Sequence, residues 1–271
     1  MTVCISALCA GPDGAAKNVV VVSDRMVTLG RLTEFEHEVP KITNITDKVV
    51  ALIAGDALRG SQLIRNVIES GVPPPLVRDL AQLTAVKYAE MRDAQIEAEV
   101  FRPRGLTRLQ FYQGGAPAIA QQPQIFFGID NQVATFNLNV EVIVTGIDGH
   151  GGHLFFLGNP GQTVSSFHQI GYHAIGSGAL QALQSMIGFG HMSGRSLHQT
   201  VFACYASKRR AEVAPGVGKD TDLAILSNKG MFKADKTALD SLEELYQEYQ
   251  KPASDVLMKK AEEITNKLNS Q

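Results

Sequence analysis

Long apolar runs are missing from this chain: no stretch approaches the roughly 20 residues that a bilayer-spanning helix needs. The first residues carry neither the basic region nor the extended apolar stretch of a secretory signal. Cysteine is scarce. Cys4, Cys9 and Cys204 make no metal-binding spacing and no even disulfide framework, which fits a reducing cytoplasm. Tryptophan is absent altogether, which excludes nothing. Neither sign of charge dominates: net charge is −2 and the pI about 6.4, so nucleic acid and anionic membranes are not favoured as partners. What is there is ordinary for a globular chain, 44% hydrophobic and 19% charged over 271 residues, enough for one large core or two modest ones.

The pattern along the chain predicts strands first. Residues 2–9 alternate, Ala10-Gly11-Pro12-Asp13-Gly14 is dense turn chemistry, and Val19-Val20-Val21-Val22 runs up to Ser23, together a hairpin with a long loop. Residues 28–38 are polar, a loop or short strand. A second pair of strands follows at 41–45 and 49–55. Two helices come next: 57–70, stopped by Gly71, and a longer one from Leu76 to about Val100 with Leu76, Leu80, Leu83 and Val86 at helical spacing. Residues 101–125, rich in Pro and Gly, read as an irregular insertion with a possible strand at 109–112. More strands are expected at 124–128, 139–146, 153–157, 171–176 and 221–227, with helices at 177–189 and 193–211 before the last of these. The charged tail from Lys236 is one amphipathic helix, or two broken at Pro252. Two sheets with helices grouped in pairs predict an α+β chain built as a four-layer α-β-β-α sandwich.

Several residues bear chemistry. Thr2 stands behind an initiator methionine that aminopeptidase removes when the next side chain is small, which would leave a hydroxyl and a free amine on one residue. An amine so placed can act as base for its own hydroxyl. Asp24 follows the valine run as Ser23-Asp24-Arg25, either a solvated strand end or a carboxylate holding a buried cation. Lys41 opens the third strand, either exposed or paired and able to lower a neighbouring hydroxyl's proton affinity. Gly55 ends a strand, a turn glycine or a backbone donor for an oxyanion. Gly176-Ser177-Gly178 lies between a strand and a helix, where Ser177 could be an N-cap, and it lacks the flanks of a Gly-x-Ser-x-Gly elbow. His150-Gly-Gly-His153 has no third partner, so neither metal nor cofactor is expected.

In order and spacing, Thr2-Val-Cys-Ile-Ser, Val-Val-Ser-Asp24-Arg-Met-Val-Thr28, Lys41-Ile, Val-Ala-Leu-Ile-Ala-Gly55-Asp, Ala-Ile-Gly-Ser177-Gly and Val217-Gly-Lys-Asp-Thr-Asp222-Leu-Ala-Ile-Leu resemble the proteasome β-subunit family of N-terminal-nucleophile hydrolases. The resemblance implies that family's sandwich fold over 2–230, with an insertion at about 101–138 and a helical tail at 231–271. It implies a threonine-type endopeptidase: Thr2 as nucleophile, Lys41 lowering its pKa, Asp24 pairing with Lys41, Gly55 as oxyanion donor, Ser177 beside the amine, and Thr28 binding an extended substrate strand. A peptide or unfolded protein would be the substrate, in a cytoplasmic homo-oligomer, either a ring or a smaller assembly, with an ATPase partner left open.

Three features depart from the family. The segment 210–218 lacks its Asp-x-x-Ser-Gly: one alignment puts Ala214 and Val217 at those positions, another Glu212 and Pro215, and Glu212 is thereby the candidate acid. The first hairpin loop, 9–17, is long. Residues 101–138 have no counterpart and lie where ring contacts would form. A catalytically impaired scaffold or accessory subunit is the alternative, and use of Cys4 as nucleophile after further processing is a third reading.

Overall fold

The computed structural model describes residues 2–11, 16–29, 33–36, 41–113 and 122–269. The expected first hairpin is present: β1 (Cys4–Ala10) pairs antiparallel with β2 (Ala16–Asp24), Cys4 opposite Ser23 and Ala7 opposite Val20. Next come β3 (Met26–Leu29) and β4 (Thr33–Glu36), then β5 (Ile42–Thr46) and β6 (Val49–Gly55). Helices α1 (Ala57–Ile68) and α2 (Val77–Ile96) follow. A π-helical turn at Glu97–Phe101 leads to the short helix α3 (Arg108–Tyr112) and to α4 (Pro123–Ala134). The chain continues through β7 (Val140–Asp148), β8 (Gly151–Leu157), β9 (Ser165–Ser166), β10 (Tyr172–Ile175), α5 (Ala179–Gly188), α6 (Leu197–Ala211), β11 (Thr221–Ser227), β12 (Gly230–Lys233) and α7 (Lys236–Asn269).

One five-stranded antiparallel sheet has the order β10-β1-β2-β11-β12 and another the order β5-β6-β7-β8-β9, while β3 and β4 form a separate two-stranded ribbon. Strand alternation explains why a run of four valines suits β2. Val20 and Val22 join Val3, Ile5 and Ala7 in a cluster with Ala182 and Met186 of α5 and Ala203 of α6. Val19 and Val21 point the other way, to Cys4 and Leu8 and to Val50, Leu52 and Ile143 of the second sheet. A third cluster packs Ile53, Val142 and Val144 on Leu63, Leu80 and Tyr88 of α1 and α2.

The four-layer expectation needs correction. The described residues form a mixed α+β structure of two antiparallel five-stranded sheets, a separate ribbon and further helices, and do not reduce clearly to four layers. Much of the difference lies at 96–134. Leu109–Tyr112, read as a possible strand, is helical in α3, where Thr107 and Gln110 make a capping box. Residues 124–128, also read as a strand, belong to α4, whose Pro123 occupies a first-turn position that needs no N–H donor. Short apolar runs do not separate strand from helix by period alone. This region has its own apolar cluster of Ile96, Phe101, Phe111, Ile129 and Val133, with the Phe111 and Phe126 rings stacked 4.7 Å apart. The tail is one helix through Pro252.

Candidate functional site

The hairpin register decides which groups meet. Beyond Cys4–Ser23, Asp24 N–H donates to Val3 O (3.2 Å), and the Asp24 carboxylate turns back under the start of the chain. Asp24 is 0% exposed yet fully served. Its Oδ1 accepts from Val3 N (2.9 Å), from Lys41 Nζ (2.8 Å) and from the Thr2 hydroxyl; its Oδ2 accepts from Met26 N (3.0 Å) and Gly218 N (2.9 Å). Burial alone would raise this carboxyl's pKa. The Lys41 charge and the hydrogen bonds from Lys41, Thr2 and Gly218 outweigh it and hold Asp24 below the usual carboxylate range.

Lys41 stands just before β5, its side chain 14% exposed, and its Nζ donates both to Asp24 and to Thr2 Oγ1. The Thr2 hydroxyl is thus held between a cation and a carboxylate. Thr2 itself is 2% exposed. Its backbone N donates to Ser177 Oγ (3.1 Å), and its carbonyl accepts from Gly178 N (3.1 Å). Ser177 Oγ lies 3.1 Å from Pro215 O, to which it can donate. Ser177 is therefore no helix cap; Gly178 takes the cap position of α5. Gly176 must be glycine: its φ is +92° and a Cβ would come within 2.3 Å of Thr2 O.

Thr2, Asp24, Lys41 and Ser177 are thus brought together. Gly55 shares with Ser177 and Gly176 the wall of a cleft of about 580 Å³ that continues past Glu141, Phe156 and Asn159. Glycine is required at 55 for a steric reason as well, because φ is +93° and a Cβ would meet Asn139 O at 2.0 Å. Asp56, next in sequence, caps α1 by accepting from Leu58 N and Arg59 N. Thr28 lies in β3 opposite Glu34, and its side chain is outside the described residues.

Glu212 is not part of this constellation. Its carboxylate accepts from Lys208 Nζ (2.7 Å) and Arg209 Nη1 (2.6 Å) at the end of α6. Lys208 went unnoticed in the sequence although it is 0% exposed. Besides Glu212, its Nζ donates to Lys219 O (2.6 Å); burial holds its pKa below the usual lysine value, although Glu212 and, more weakly, Asp24 favour the charge. The i, i+4 spacing of Lys208 and Glu212 on a helix was the available signal; burial of the pair was not readable from it. The altered segment 214–218 contributes through its backbone: Pro215 O faces Ser177, and Gly218 N–H reaches Asp24. Cys4 lies close by, but burial pushes its thiol up to about 12 despite Lys41, leaving little thiolate for attack. His153 Nε2 lies 3.0 Å from Asp148 Oδ1, which ties it into the β7–β8 turn.

Among the described residues no helix is long and apolar enough to cross a membrane. Compared with known proteins, the chain matches no protein-family model and no curated protein.

Proposed function

We propose that the chain is a threonine-type amide hydrolase, resembling proteasome β-subunits in its chemistry, that cleaves peptide bonds with Thr2 once the bond before it has been cut. One observation carries the reading: the Thr2 hydroxyl contacts both Lys41 Nζ and Asp24 while the Thr2 nitrogen sits on Ser177. A freed Thr2 amine takes the hydroxyl proton as Oγ1 bonds to the substrate carbonyl carbon, and the Lys41 ammonium stabilises the oxygen as it gains charge. The amine then delivers that proton to the leaving nitrogen, the C–N bond breaks, and an ester remains on Thr2. Water, deprotonated by the same amine, attacks the ester and returns the hydroxyl. Gly55 and the cleft wall support the carbonyl during both steps. A peptide or unfolded segment is the substrate, and a homo-oligomer in the cytoplasm, with or without an ATPase, is the setting in which such a site works safely.

Intact mass and N-terminal sequencing of the purified protein are expected to show Thr2 as first residue, and Thr2→Ala is expected to abolish hydrolysis of short fluorogenic peptides. Undiminished turnover by Thr2→Ala ends the reading. A non-catalytic accessory role is favoured by Ala214 and Val217, buried apolar residues where the family carries a carboxylate and a serine. Failure of processed Thr2 to react with an inhibitor directed at N-terminal threonine would decide for it.

A further inference from the structure

Among the described residues, the cleft that opens beside Ser177 has one ionisable side chain in its wall, Glu141, at the start of β7. Asn137, Asn139, Asn159, Thr163 and Ser165 supply amides and hydroxyls around it, and Phe156 an apolar face. Glu141 is exposed, and its Oε2 accepts from Gly176 N (2.9 Å), the amide next to Ser177. That bond fixes the carboxylate at the end of the cleft nearest Thr2. Among the described residues no cation forms an ion pair with it, and its other oxygen is open to a ligand. Lys41 and Asp24 pair with one another, so among the described residues of the cleft wall Glu141 is the carboxylate left to face an entering chain.

We propose that this cleft binds a cationic side chain, lysine or arginine, adjoining the bond to be cut. The inference rests on the threonine-hydrolase reading and names its substrate class: basic peptides. An ammonium or guanidinium reaching Glu141 forms a charge-assisted hydrogen bond, with the neighbouring amide and hydroxyl oxygens as further acceptors. The aliphatic stem, or the guanidinium plane, lies against Phe156. An acidic side chain in the same place would face the Glu141 carboxylate and be disfavoured.

The test separates binding from turnover. Two blocked hexapeptides, identical except for lysine or glutamine at one position, are titrated calorimetrically into the Thr2→Ala protein. Their N-termini are acetylated and their C-termini amidated. Lysine is expected to bind about five- to tenfold more tightly, an advantage that shrinks in high salt. Glu141→Gln keeps an oxygen for the Gly176 N–H while removing the charge, and is expected to bind both peptides equally. Equal binding to the parent, or an undiminished lysine preference in Glu141→Gln, overturns the proposal. Turnover of both peptides by the processed protein at the same kcat/KM also overturns it but leaves the hydrolase reading standing. A lysine preference in binding with neither peptide cleaved sinks the hydrolase reading and keeps the basic-ligand site.

Discussion

Asp24 ties several parts of the chain together at the proposed active site. Its two oxygens gather donors from Thr2, Val3, Met26, Lys41 and Gly218. Because its folded pKa lies below the unfolded value of about 4, the stability it contributes is fully present above pH 4 and is lost as pH falls through the folded pKa. Asp24→Asn replaces one acceptor oxygen by an NH₂ group and leaves Lys41 unpaired. A loss of about 3–5 kcal/mol at pH 7 is expected from urea unfolding, with a correspondingly flatter acid limb. Equal stability of variant and parent at pH 7 would show that these bonds are not made in solution. The cysteines give a simpler check. All three are buried; burial holds Cys9 at about 11 and raises Cys204 further, alongside Cys4 at about 12. None is expected to react with a disulfide reagent at pH 8 until the protein is unfolded, and rapid labelling of Cys4 in the native state would revive it as a nucleophile.

Elements matter here for what they deliver to a point. β6 hands over to α1 through Gly55 and Asp56, and the glycine has backbone on the side where a Cβ would go. Gly55→Ala should therefore cost at least about 2 kcal/mol in chemical denaturation, apart from any effect on turnover. The end of α6 delivers Lys208, whose bond to Lys219 O steadies the stretch carrying Gly218 to Asp24. Lys208→Met removes that donor but leaves Glu212 paired with Arg209. If the proposed hydrolase reading holds, a drop in kcat with little change in KM is expected, because the cleft beside Ser177 is untouched while Asp24 loses a supported donor; unchanged kcat would make Lys208 a packing residue only.

The sequence disclosed the strands around the site well, since alternation and turn residues speak for β1, β2, β5 and β6, and Thr2, Asp24, Lys41 and Ser177 could be singled out one by one. It could not say that Lys208 would be buried, that Glu212 would turn away to Arg209, or that Pro215 and Gly218 would act through main-chain atoms. Backbone donors leave no mark in side-chain identity. Residues 109–112 and 124–128 are helical where strands are expected, because runs of four or five residues carry too few positions to reveal a period.

At the scale of the whole molecule, the apolar clusters are joined by strands whose two faces both go inward. Val19 and Val21 serve one cluster while Val20 and Val22 serve another. The long C-terminal helix is attached unevenly. Leu239, Leu242 and Tyr246 pack against the α5–α6 cluster, whereas the side chains described beyond Gln250 are exposed. Truncation after Gln250 is expected to leave the melting temperature within about 3 °C, while truncation before Leu239 should lower it by more than about 5 °C. A large drop from the shorter truncation would show that the segment beyond Gln250 makes stabilising contacts in solution.

The donors converging on Asp24 come from residues 2–3, 26, 41 and 218, so this carboxylate works as a mortise whether or not it is also a reagent. A chain of this fold without turnover would still need it to close its frame. Its presence in a sister sequence would then testify to architecture, and only the hydroxyl it grips, set at a freed terminus, would testify to catalysis.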